Sequence, residues 1–142
     1  MTSPPYAPYE SLGYALKRAQ HALRLHMDRE LRPLGLSAPQ YAVLTHVEAE
    51  PGVSNAGLAR RAFVTPQTMQ AMLAKLEAAG LLARAPDPEH GRIQRTELTE
   101  AGRAILAKAH DAALRSETAA RAAAPEEAAR WLTRIAEALD PT

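Results

Sequence analysis

Residues Ser54 to Thr99 read SNAGLARRAFVTPQTMQAMLAKLEAAGLLARAPDPEHGRIQRTELT. Few folds accommodate that order of signals. Ser54 is a good N-cap for a short helix that carries Leu58 and Ala59 inward. Thr65-Pro66 opens a second helix, with threonine as cap and proline at the first helical position, where its missing N–H costs nothing. Met69, Met72, Leu73 and Leu76 recur at helical spacing and predict its buried stripe, and Gly80 predicts its end. Leu81 to Ala85 and Ile93 to Leu98 then read as two strands joined around PDPEHGR.

Two short helices and a basic hairpin in this order predict a winged helix-turn-helix. In that fold one helix enters the DNA major groove and the hairpin reaches an adjacent minor groove. The charge agrees. Overall net charge is only +1, but between Val53 and Thr96 Arg60, Arg61, Lys75, Arg84, Arg92 and Arg95 outnumber Glu77, Asp87 and Glu89. The excess of acid therefore lies in the flanks. The abundance of Arg and Ala is equally a mark of a GC-rich genome.

The flanks are helical. Glu10 to about Arg32 carries Leu12, Leu16, Ala19, Leu23, Met27 and Leu31 on one stripe and Tyr14, Arg18, His21 and Leu25 on another. Ser37 and Gln40 predict a capping box ahead of a helix that buries Val43, Leu44 and Val47, with Pro51-Gly52 as its stop. Thr99 predicts the cap of a long Ala-rich helix to about Ala123. Pro125-Glu126-Glu127 predicts the start of a last helix with Trp131, Leu132, Ile135 and Leu139 on one face. The expected fold is mainly α with a small β wing, in a single domain spanning 1–142. The winged unit occupies 37–99, and the helices at 10–32 and 100–140 are expected to dimerise. Their apolar faces exceed what the small central unit can cover, and a second copy is the economical partner.

Other classes find little support. With no cysteine there is no disulfide, thiolate metal site or thiol nucleophile. His21, His26, His46, His90 and His110 show no compact metal-ligand spacing. No local set of residues suggests catalysis, so neither an enzyme nor a cofactor or metal is expected. No apolar run is long enough for a transmembrane helix. MTSPPYAPYE reads as a Pro-rich arm rather than a signal peptide, and the expected location is cytoplasmic.

The segments LRPLGLSAPQYAVL, VTPQTMQAMLAKLEAAGLLAR and DPEHGRIQRTELTEAG, in that order, resemble the MarR family of winged-helix transcription regulators. The resemblance spans Leu31 to Leu106 and rests on order and spacing rather than on one motif. It implies an obligate homodimer on a pseudo-palindromic double-stranded DNA operator, a repressor released by a small phenol or aromatic carboxylate. Three features depart from the family, one of them Gly91 at a frequently basic position. His90 stands where an acid commonly pairs with the wing arginine, which leaves Asp87 as the candidate partner of Arg92. Gly57 stands where a helix former is usual, at a cost of up to ~1 kcal/mol.

With Met69, Met72, Leu73 and Leu76 inward, Gln67, Thr68, Gln70, Ala71, Ala74 and Lys75 face out. Glutamine bridges the acceptor and donor of adenine, and threonine bonds a base or touches a thymine methyl. Ser54, Asn55, Thr65, Lys75 and Arg84 are candidate phosphate contacts, and Arg92, with His90 beside it, is the candidate minor-groove probe. Arg84 and Arg95 have an alternative role, pairing across the hairpin with Asp87 or Glu97. The candidate ligand residues are Tyr14, Arg18 and His21 of the first helix and Tyr41 of the second, a set suited to an aromatic anion. Alternatively Tyr14 packs in a dimer, Tyr41 in the core and Arg18 in a surface ion pair. Two other functions stay open: a winged-helix module that binds protein instead of DNA, and a DNA-binding regulator without a ligand.

Overall fold

The computed structural model of the chain describes residues 5–140, so the expected N-terminal arm falls partly outside the described residues. Two helices form the outer frame, α1 (Leu12–Leu31) and α5 (Glu100–Ala122), packed against each other. Ser116 and His26 share a 2.8 Å hydrogen bond across them, and Arg115 Nε donates to Glu30 at 2.6 Å. Between these helices in sequence lie α2 (Ala38–Ala49), β1 (Val53–Ser54), α3 (Asn55–Ala62), α4 (Pro66–Ala78), β2 (Leu82–Pro86) and β3 (Gln94–Leu98). A last helix, α6 (Ala128–Leu139), follows α5.

Local chemistry sets the helix starts. The Ser37 hydroxyl accepts from Gln40 N–H while the Gln40 side chain accepts from Ser37 N–H, the full capping box. Ser54, Thr65 and Thr99 cap α3, α4 and α5 through bonds from Gly57, Thr68 and Gly102 N–H. Ser11, not anticipated, caps α1, so the helix begins two residues later than expected. Pro125-Glu126-Glu127 forms a turn, and α6 opens only at Ala128.

The sheet is three-stranded, in the order β1-β3-β2, all antiparallel. The predicted hairpin is present, with Leu82 opposite Leu98 and Pro86 opposite Gln94. The third strand is a two-residue addition, Val53 opposite Thr96. One core joins all the layers: Leu31 from α1, Val43, Leu44 and Val47 from α2, Leu58 from α3, Met69, Leu73 and Leu76 from α4, Leu82 from β2 and Leu106 from α5. Met72 is only half-buried at its edge, a correction to the predicted stripe.

Two glycines are packing residues. A Cβ on Gly57 would lie 3.1 Å from Val53 Cγ2, which explains a glycine where helix propensity alone disfavours one. A Cβ on Gly102 would lie 2.1 Å from the Leu81 carbonyl oxygen, so α5 approaches the start of β2 as closely as backbone permits. The turn between α3 and α4 is made by Phe63 with φ +56°, a left-handed conformation unusual for an aromatic residue, and its ring is 95% exposed.

By contrast α6 buries none of its residues, with Trp131 56% and Leu139 78% exposed. Among the described residues no helix is long and apolar enough to cross a membrane, and no group of three His, Cys, Asp or Glu is arranged to hold a metal.

Candidate nucleic-acid interface and adjoining cavities

Burial of Met69, Leu73 and Leu76 fixes the rotation of α4. Gln67, Thr68, Gln70, Ala71, Ala74 and Lys75 are all exposed on its other side. Ala71 and Ala74 keep the middle of that face low, which lets a helix approach base edges closely. Thr65 is occupied as the cap: its hydroxyl accepts from Thr68 N–H at 3.1 Å and donates to Thr68 Oγ at 3.0 Å. Ser54 likewise accepts from Gly57 N–H.

Two of the expected phosphate contacts lie behind this face. Arg84 has a side chain only 11% exposed, and donates to Gln70 Oε1 at 3.1 Å and to Glu77 Oε1 at 3.2 Å. Asn55 donates from its amide to the same Gln70 oxygen at 2.6 Å. The first turn of α3, the outer face of α4 and β2 are thus tied through one glutamine. The participation of Glu77 was missed, although Gln70 and Glu77 lie two helical turns apart on one side of α4.

At the wing, the Asp87 carboxylate organises the turn. Its Oδ1 accepts from Glu89 N–H at 2.8 Å and His90 N–H at 2.9 Å, and its Oδ2 accepts from Arg95 Nε at 2.7 Å. These bonds, the Arg95 one first, hold its pKa down to about 2. The expected Asp87–Arg92 pairing is therefore corrected: Asp87 holds Arg95, three strand positions nearer the core. Of the two pairings considered across the hairpin, Arg95 with Asp87 occurs, while Arg84 turns to α4. Arg92 is left exposed at the tip with no hydrogen bond or ion pair among the described residues, next to exposed His90.

The four candidate ligand residues are not brought together. Tyr14 is exposed and meets Tyr9 edge-on at 5.3 Å between ring centroids, and Arg18 and His21 are exposed on α1. Tyr41 faces elsewhere: its hydroxyl bonds His110 Nδ1 at 2.8 Å, and His110 Nε2 bonds Glu48 at 2.9 Å. Tyr41 and His110 line a cavity of about 320 Å³ against α5. A larger one, about 530 Å³, opens between α1, α2 and the α3–α4 turn, lined by Arg24, Met27, His46, Arg61, Phe63 and Met72 among others. Burial, and secondarily the charge of Arg61, lowers the pKa of His46 below its ordinary 6.5. Arg61 is itself paired with Glu50. These residues come from three elements far apart in sequence, and no local pattern announces them.

A model of the MarR family matches residues 34–93. The HTH-type transcriptional repressor Rv2887 of Mycobacterium tuberculosis is 44% identical over 119 residues, covering 82% of this chain and 85% of the relative. The crystal structure of that protein in complex with salicylic acid superposes with a TM-score of 0.70 at 37% identity, covering 92% of this chain and 96% of that one. The transcriptional repressor CouR, bound to a 23-mer DNA duplex, superposes with a TM-score of 0.83 at 29% identity, covering 98% and 99% of the two chains. The helix order, the three-stranded wing and this identity over most of its length agree, and the chain belongs to the MarR family of winged-helix transcription regulators.

Proposed function

We propose that the protein is a homodimeric, sequence-specific DNA-binding repressor, acting in the cytoplasm and released from its operator by a small aromatic acid. The observation that carries the DNA-binding part is the outer face of α4. It is polar, low in the middle and flanked by an unpaired arginine on the wing. Protein-docking surfaces are enriched in aromatic residues and depleted in lysine and alanine at their centre, and this face offers glutamine, threonine, alanine and lysine without an aromatic residue. The repressor relatives support the sign of regulation, and none of the named relatives is an enzyme.

The larger cavity is the proposed seat of the ligand, in place of the Tyr14, Arg18, His21 and Tyr41 set. Its volume suits a single aromatic ring with polar substituents, and Arg24 and Arg61 supply positive charge for a carboxylate. The salicylic acid complex of the repressor relative supports that chemistry. One wall belongs to α1 and α2 and the other to the α3–α4 turn, so an occupant bears on the angle between the outer frame and the reading helix. Two reading helices must meet half-sites about one DNA turn, roughly 34 Å, apart. A shift of a few ångströms therefore misaligns one when the other is docked. A preference of ~1–3 kcal/mol for the misaligned state weakens binding several-fold to a hundredfold.

Salicylate titrated into the protein by calorimetry tests this seat. Arg61→Ala is expected to weaken uptake while Arg18→Ala leaves it unchanged. The reverse pattern would return the site to the outer face of α1.

A further inference from the structure

The exposed face of α4 carries two glutamines, and the structure treats them differently. Gln67 has no hydrogen-bond partner for its side chain among the described residues, and its amide can present oxygen and nitrogen alike. Gln70, one turn on, is held from behind. A guanidinium only donates, so the Gln70 atom 3.1 Å from Arg84 Nη1 must be the oxygen. The same oxygen lies 2.6 Å from the Asn55 side chain, so the Asn55 atom facing it must be the NH2. The donor-only chemistry of arginine thus sets the orientation of both amides. Glu77 holds the other end of the guanidinium at 3.2 Å and keeps it in place. Two donors fill the two lone pairs of the Gln70 oxygen, and only its NH2 remains for a ligand.

This changes what Gln70 can read. Bridging adenine requires an oxygen to accept from N6 and a nitrogen to donate to N7. A donor-only amide lacks the first and sets its hydrogens against those of N6. Cytosine offers the major groove a donor at N4, which is equally unfavourable. Thymine offers a single acceptor, O4, beside its methyl group, whereas guanine offers two adjacent acceptors, N7 and O6, and so alone matches both amide hydrogens. We infer that the Asn55–Arg84–Glu77 clamp makes Gln70 a guanine-selecting residue, with Asn55 and Arg84 acting as positioning residues rather than phosphate contacts. This rests on the DNA-binding reading above and adds a base identity to it.

The test is selection of binding sites from a randomised duplex pool with the full-length protein. The variants are Gln70→Ala, Gln67→Ala, Asn55→Ala and the double variant Asn55→Ala/Arg84→Met, each checked for folding by circular dichroism. Wild type is expected to enrich guanine about tenfold over adenine at one position per half-site, and Gln70→Ala to erase that preference alone. Gln67→Ala should alter a different position. The double variant frees the oxygen and should raise adenine to at least parity with guanine at the Gln70 position, with Asn55→Ala in between. Adenine enriched there by wild type would overturn the proposal, as would an unchanged preference in a folded double variant. If the double variant does not fold, an Asn55→Ala profile identical to wild type overturns it. A wild-type protein that enriches no sequence would instead remove the DNA-binding reading itself.

Discussion

Thr96 carries a buried hydroxyl that its environment leaves uncompensated. It sits in the middle strand, fully buried, and its hydroxyl has no hydrogen-bond partner among the described residues. Leaving such a group unpaired costs about 1–3 kcal/mol, and valine keeps the shape without the hydroxyl. Thr96→Val is expected to raise the thermal midpoint by a few degrees, read by circular dichroism; a lower midpoint would mean the hydroxyl is satisfied. His46 is a second lone residue with a measurable consequence. Its folded pKa lies below 6.5, so the unfolded chain takes up a proton first as pH falls, and His46 subtracts stability there. A carboxylate placed in the cavity beside it favours the charged imidazole. Salicylate affinity is therefore expected to rise from pH 7.5 to 6, and His46→Gln to flatten the slope. A wild-type affinity independent of pH over that range would separate His46 from the ligand. Individual partnerships of this kind were the least legible part of the sequence. The sequence points to Asp87 as the acid of the wing but leaves Arg92 and Arg95 both open as its partner, because the strand pairing, not proximity in sequence, puts Arg95 beside it.

Among the elements, the wing depends most on a single group. Asp87 closes the turn and holds Arg95 from one side chain. Its folded pKa of about 2 lies below the ordinary 3.8, so its contribution is present above about pH 4 and is lost as pH falls toward 2. The protection of the Glu89 and His90 amides, taken relative to the intrinsic exchange rate at each pH, should therefore fall over that window before that of the core helices, and loss of wing and core protection at the same pH would contradict a locally built wing. At neutral pH, Arg92→Ala should weaken operator binding by ~1–3 kcal/mol, most on AT-rich flanks, since Arg92 is a cation at the tip with no partner among the described residues. Wild-type affinity in a gel-shift titration would remove the wing from the mechanism. The elements were largely readable beforehand because serine and threonine caps announce them locally. Strand β1 was not, since its two residues become a strand only by pairing with β3.

The whole molecule carries more apolar surface than one chain covers. Leu12 on α1 and Trp131, Leu132 and Leu139 on α6 are exposed, while the central unit buries Leu44, Leu58, Met69, Leu73 and Leu76. That surplus was legible in the spacing of the terminal helices, and a two-fold dimer is its proposed cover. The cavity was not legible, because its walls come together only when α1 and α2 fold against the α3–α4 turn. Light scattering at low micromolar concentration should give about twice the 15.3 kDa chain mass, and Leu139→Glu should shift it toward one. The most direct test of ligand-released DNA binding is a fluorescence-anisotropy titration of the dimer onto its selected operator, with and without millimolar salicylate. Tight binding of one dimer per palindrome, weakened several-fold to a hundredfold by salicylate, is the expected result. Operator affinity unchanged by saturating salicylate, in a protein that calorimetry shows to have bound it, would contradict the coupling of cavity to reading helix.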